Sequence, residues 1–125
     1  MINFYKCDIC NNVIELVINH GGSLACCNTK MTELEANTVD ASTEKHVPVV
    51  NLNGNTVDVS VGSIPHPMTP EHHISFIYLE TNKGGYRKDV VNNINPTACF
   101  ILENDELPIT AYEYCNLHGL WKVFI

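Results

Sequence analysis

The chain is short of positive charge, with seven Lys and Arg against fourteen Asp and Glu in 125 residues and a formal net charge of −7. A nucleic acid or anionic membrane is bound through a clustered basic face, which these scattered cations do not provide, so neither is expected as a partner. Long apolar runs are missing as well. No stretch approaches the roughly 18 consecutive apolar residues of a membrane span. The opening Met1-Ile2-Asn3-Phe4-Tyr5-Lys6 lacks the basic-then-apolar layout of an export signal. The expectation is a soluble cytoplasmic protein. No segment carries a convincing helical period, and there is no internal repeat or low-complexity tract, which points away from helical bundles and solenoids.

What the chain does have is cysteine and histidine, six of each. In a reducing compartment, six cysteines read as metal ligands or buried thiols rather than a disulfide framework. The length suffices for one core of roughly 100 residues plus a small appendage. Residues 1–36 read as that appendage: Phe4 to Cys7, Val13 to Ile18, a turn at Asn19-His20-Gly21-Gly22, then Leu24-Ala25-Cys26, all β-like. Its apolar content is too thin for independent folding, and a structural metal or dimerisation is the usual remedy. Met31 to Asp40 reads as its exit and linker.

Residues 37–125 carry short apolar runs separated by turn signals. Thr56 to Val61 alternates with period two after the hairpin dipeptide Asn53-Gly54. Ile74 to Glu80, Tyr86 to Val91, Ala98 to Leu102, Ile109 to Cys115 and Leu120 to Ile125 follow. About six or seven strands at this spacing predict an antiparallel β-sandwich of immunoglobulin-like type. The fold class is therefore mainly β. Cys99, inside an apolar run, reads as a core thiol.

Two ligand sets stand out. Cys7-x2-Cys10 on a turn, completed by Cys26 and Cys27, has the makings of a tetrahedral four-sulfur site for iron or zinc. Adjacency of the second pair requires the two side chains to splay. The other set is Cys115-x2-His118 with His46, His66 and His72. His66 lies between Pro65 and Pro67, which stiffen its loop. Imidazoles with one thiolate suit iron, copper or zinc rather than magnesium or calcium. A copper electron-transfer site is the rival on a β-sandwich, but Met68 is poorly placed as its axial ligand so close to His66. Four histidines and a cysteine make five ligands, one short of an octahedron.

Glu44-Lys45-His46-Val47-Pro48, Pro65-His66-Pro67-Met68 with His72, and Cys115-Asn116-Leu117-His118-Gly119-Leu120-Trp121 resemble the ligand motifs of superoxide reductases. The four-cysteine set resembles the desulforedoxin-like domain of the two-iron members, the desulfoferrodoxins. The resemblance covers essentially the whole chain and implies a desulforedoxin-like unit over 1–36 and a reductase β-sandwich over 37–125. It implies two iron ions: one on Cys7, Cys10, Cys26 and Cys27, one on His46, His66, His72, His118 and an axial Cys115. It further implies reduction of superoxide to hydrogen peroxide at the ferrous His4Cys centre. Lys45 would attract the anion and support proton delivery, and Glu44 would cap the ferric state. An external electron donor such as a rubredoxin and a homodimer are also implied. Four neutral imidazoles, one thiolate and Fe(II) sum to about +1, so the centre is locally cationic on an acidic chain. The alternative class is a non-catalytic iron electron carrier or metal-binding module.

Overall fold

The structure, a computed structural model, describes residues 2–90 and 94–125. Val91, the expected end of one strand, lies outside the described residues. The chain divides into two compact units, Met1–Glu35 and Ala36–Ile125.

The first unit contains β1 (Phe4–Lys6), β2 (Val13–Glu15), β3 (Ala25–Cys26), β4 (Thr29–Lys30) and β5 (Thr32–Glu33). β1 is the middle of a three-stranded antiparallel sheet, pairing Tyr5 with both Ile14 and Glu33, while β3 and β4 form a separate two-residue hairpin. Part of the expected linker is therefore sheet. Thr32–Glu33 finds a ladder on the free edge of β1, a long-range pairing with no local signal. Among the described residues, the buried hydrophobic side chains of the first unit are Phe4, Cys7 and Met31. At about 1.5–3 kcal/mol for each large apolar side chain buried, that core is far too small to offset the entropy of ordering some thirty residues.

The second unit opens with one helical turn, α1 (Thr43–His46), which no sequence period announces. Among the described residues seven strands follow: β6 (Pro48–Asn53), β7 (Thr56–Val61), β8 (Ile74–Thr81), β9 (Gly84–Asp89), β10 (Thr97–Ile101), β11 (Pro108–Cys115) and β12 (Gly119–Phe124). They form two antiparallel sheets, β10-β7-β6 and β12-β11-β8-β9, the three-over-four arrangement of an immunoglobulin-like sandwich. The sheets meet over Val57, Val59 and Val61 from β7, Ala98 and Phe100 from β10, and Ile77, Leu79 and Ala111 from the larger sheet. The turn between β6 and β7 centres on Gly54 and Asn55 rather than on Asn53-Gly54, since Asn53 pairs with Thr56. Gly54 has φ +60°, the first-position glycine that a type II′ turn requires.

Cys99 is exposed, not a core thiol. Side chains alternate along β10, and Ala98 and Phe100 take the inward positions. Cys99 consequently faces out, opposite Asp58. Gly85 serves packing: a Cβ there would lie 1.7 Å from the Tyr78 hydroxyl, so the Tyr78 ring lies where a side chain on β9 would stand.

The register fixes where the loops gather. Pro48 pairs with Val61, Ile74 with Cys115, and Cys115 with Gly119. The start of β6 and the end of β7 thus share one end of the smaller sheet, the start of β8, the end of β11 and the start of β12 share one end of the larger, and the His and Cys side chains they carry bring these two ends together. All five expected His and Cys ligands sit on the segments that meet there.

Candidate metal centres

Cys7, Cys10, Cys26 and Cys27 bring their sulfurs within 4.8 Å of one another. Cys10 Sγ is 3.6 Å from Cys26 Sγ, which is 3.9 Å from Cys27 Sγ. A tetrahedron with metal–sulfur bonds of about 2.3 Å has edges of about 3.8 Å, so the thiols stand at ligand spacing. The splaying that an adjacent pair needs comes from the backbone: Cys27 has φ 54° and Asn28 φ 57°. Cys27 has a Cβ, and holding it in the left-handed region costs about 1–2 kcal/mol, which a bound metal offsets. Cys10 N–H donates to Cys7 Sγ at 3.5 Å. That amide, with the Ile9 amide also contributing, holds the Cys7 thiol down to about 7 against the opposing effect of burial. Contact with Cys10 pushes Cys26 up to about 12 and raises Cys27 as well. The metal-free thiols therefore compete for protons that a cation would replace.

His46, His66, His72, His118 and Cys115 form the second group, also within 4.8 Å. The imidazoles make a four-membered ring. Neighbouring centroids are 4.7 Å (His46–His66), 4.6 Å (His66–His72), 5.0 Å (His72–His118) and 4.9 Å (His118–His46) apart, each pair close to perpendicular. The opposite pair His46 and His72 is 6.5 Å apart and inclined by only 30°. Such a square is what four equatorial ligands of one ion require. Cys115 Sγ lies 3.5 Å from His66 Nε2 and 4.0 Å from His118 Nδ1.

Two of the rings are oriented by local carbonyls. His46 Nδ1–H donates to Ser42 O at 2.6 Å, and His66 Nδ1–H to Pro67 O at 2.7 Å. With its one proton so placed, each neutral ring presents Nε2 as a lone pair. Those two Nε2 atoms face each other at 3.1 Å. Neither has a proton to share, and burial holds the His66 ring down to about 4 and lowers His46 as well, so protonation at neutral pH does not relieve them. A cation between them does. His46 Nε2 is also 3.1 Å from His118 Nδ1, and His72 Nε2 is buried with no hydrogen-bond partner. His73, beside it, donates Nδ1–H to Thr69 O at 2.9 Å and is not in the group. Five donors exceed the four of structural zinc, and nitrogen with thiolate suits iron.

Burial raises the Cys115 thiol, and the Leu117 and His118 amides oppose it. Glu44 and Lys45 are exposed on α1, directly before buried His46. The Glu44 carboxyl is held low, chiefly by its own backbone N–H. The turn that carries them is seated against the loop leading to His66. Ile64 N–H and Ser63 Oγ–H both donate to Glu44 O, at 2.9 and 3.2 Å. A Cβ on Gly62 would come within 2.6 Å of the same oxygen, so only glycine allows this approach.

Two further residues, Trp121 at the end of the Cys115–Trp121 motif and Glu113 outside any motif, have no role assigned by the sequence. Trp121, 2% exposed, stacks on His46 at 4.9 Å and 26° and donates Nε1–H to His118 O at 3.1 Å. Glu113 is fully buried with neither carboxyl oxygen hydrogen-bonded, and burial pushes its pKa well above the ordinary range. A carboxyl whose ionised form burial disfavours thus stands two residues before Cys115. Apolar–polar alternation in β11 would have flagged Glu113; the Trp121 stack depends on contacts no spacing reveals.

The two centres belong to a known pairing. The sequence matches the family model described as Desulfoferrodoxin over residues 38–124, and that described as Desulfoferrodoxin, N-terminal domain, over residues 1–34. It is 43% identical over 121 residues to a desulfoferrodoxin of Syntrophotalea carbinolica, covering 97% of this chain and 94% of that protein. A superoxide reductase of Pyrococcus horikoshii is 38% identical over 96 residues, 63% of this chain and 84% of that one. The crystal structure of the superoxide reductase from Treponema pallidum superposes with a TM-score of 0.82 at 38% identity, covering 98% of both chains. With a four-cysteine group and a His4Cys group consistent with two iron sites, the chain belongs to the desulfoferrodoxin family.

Proposed function

We propose that the protein is a superoxide reductase. The carrying observation is the square of four imidazoles with one buried cysteine sulfur, five donors that would leave a six-coordinate ion one position, next to Glu44 and Lys45. The names of its relatives support the same reading. The net reaction is superoxide plus one electron and two protons giving hydrogen peroxide. Ferrous iron in the His4Cys site supplies that electron when bound.

The chain's own groups do the rest. His46, His66, His72, His118 and Cys115 hold the ion. The Lys45 ammonium draws the anion toward a centre on an otherwise acidic surface, which raises the encounter rate, and passes a proton at Nζ through water. The Glu44 carboxylate is ionised at neutral pH and stands ready to cap the oxidised centre. Leu117 and His118 amides, which favour the thiolate form of Cys115, moderate the electron density it donates.

Cys7, Cys10, Cys26 and Cys27 hold a second iron in residues 1–36, and residues 37–125 form the catalytic unit. Re-reduction uses an external one-electron protein such as a rubredoxin. A homodimer fits the exposed Ile9, Val17 and Ile18 of the first unit, and six thiols fit the reducing cytoplasm. The test is to add superoxide to pre-reduced protein and follow peroxide and dioxygen. One peroxide per ferrous His4Cys centre, then arrest until a donor is supplied, is expected. Sustained turnover without donor, releasing dioxygen, would mean dismutation instead.

A further inference from the structure

Asn116 stands between two ligands, Cys115 and His118, on the turn joining β11 to β12, and it reaches across to the loop that carries a third. Its backbone N–H donates to His73 O at 3.1 Å. Its side-chain Oδ1 accepts from His73 N–H at 2.8 Å, and its Nδ2–H donates to Glu71 O at 2.9 Å. One residue thus grips the chain on both sides of His72. The His72 backbone itself is closed into a small loop with Thr69, through Thr69 N–H to His72 O at 2.9 Å and His72 N–H to Thr69 Oγ1 at 3.1 Å. His72 has no ring-nitrogen bond to a carbonyl like those that fix His46 and His66. Its Nε2 is the buried, unpartnered atom of the site.

We propose that Asn116 is the positioning residue for His72, locking the loop of that ligand to the turn bearing Cys115 and His118. The amide does this by offering a donor and an acceptor from one planar group, in the manner of a backbone peptide. Without it, the Cys115–His118 turn and the His72 loop keep the backbone bond at His73 O and the pairing of Ile74 with Cys115, both on the C-terminal side of His72, and the fourth corner of the imidazole square is free to drift relative to the Cys115 sulfur.

The inference takes its iron from the function proposed above, but its test uses no superoxide, so a failed superoxide assay leaves it standing. Full-length protein carrying both irons is prepared as Asn116→Ala and Asn116→Asp. Ferrous iron is withdrawn by a graded chelator, each centre being followed by its own absorption. In Asn116→Ala the His4Cys centre should lose about 10- to 100-fold in iron affinity, the usual effect of removing a group that orients a ligand. At full occupancy its thiolate-to-iron absorption should also shift. The four-cysteine centre in the same molecule should be unchanged. Asn116→Asp, which keeps the acceptor for His73 N–H, should lose less than Asn116→Ala. Affinity within twofold of the parent with an unshifted band would overturn the proposal. So would parallel loss of both irons, which would make Asn116 a residue of general stability.

Discussion

Trp121 gives the sharpest test of how the second unit holds its ligands. Its indole packs on the His46 ring and donates to the His118 carbonyl, so one side chain touches two of the histidines that would hold the ion. Trp121→Ala empties a site that is 2% exposed, and cavity formation on that scale costs about 4 kcal/mol. Trp121→Phe keeps a ring against His46. It forfeits the N–H···O bond, about 1 kcal/mol, and about another 1 kcal/mol of apolar contact, so the expected loss is near 2 kcal/mol. The assay is urea unfolding of metal-free protein. The chain has a single tryptophan, so near-ultraviolet ellipticity replaces indole fluorescence; Tyr78, Tyr112 and Tyr114 are buried reporters in this unit. Iron affinity should separate the two roles, falling in Trp121→Ala and holding in Trp121→Phe if the stack orients His46. Equal effects of the two variants, or a loss below about 1 kcal/mol in Trp121→Ala, would refute the reasoning.

Cys10→Ser should remove the four-sulfur iron and loosen the first unit while the His4Cys absorption and one-turnover superoxide reduction persist; metal analysis beside stopped-flow checks both. Lys45→Ala should retain iron but slow the encounter with superoxide by roughly three- to tenfold and flatten its dependence on ionic strength, and an unchanged rate across salt would remove Lys45 from the mechanism. The metal-free protein should lose stability on acidification. His66 is held at about 4 in the fold against about 6.5 unfolded. The unfolded chain therefore binds the extra proton between those values, stability is full above about pH 6.5, and up to about 3 kcal/mol drains away as pH falls toward 4. His66→Gln should flatten that part of the profile in urea titrations; an identical slope would assign the acid loss elsewhere.

Most of both donor sets was legible because ligand spacing is local: Cys7-x2-Cys10 needs one turn, and Cys115-x2-His118 needs one hairpin. The sandwich was legible from period-two runs such as Thr56 to Val61. Parity was not. An apolar run such as Ala98 to Leu102 does not declare which alternate residues face in, and Cys99 took the outward side because Phe100 fills the core. The short β5 was missed for a related reason, since Thr32 and Glu33 become strand only through pairing with Lys6 and Tyr5. Long-range devices were invisible altogether. His46 and His118 are 72 residues apart, and neither the seat that Gly62 offers Glu44 nor the grip of Asn116 on Glu71 and His73 leaves a pattern along the chain.

The two centres stand in opposite relations to their folds, which is why Cys10→Ser should act on one unit. In the second unit the sandwich makes the site. The core of β7, β8, β10 and β11 buries Val57, Val59, Ile77, Leu79 and Phe100 with a single ligand, Cys115, at its edge, and strand register together with the loop contacts of Glu44 and Asn116 brings His46, His66, His72, Cys115 and His118 to one end. Metal there relieves facing lone pairs but does not assemble the sheet. In the first unit the site makes the fold. Among the described residues its buried hydrophobic side chains are Phe4, Cys7 and Met31, and one of them is itself a ligand. The strained Cys27 is another. Removing the four-sulfur metal takes away the element that ties the Cys7–Cys10 turn to the β3–β4 hairpin. Removing the His4Cys metal leaves seven strands still paired.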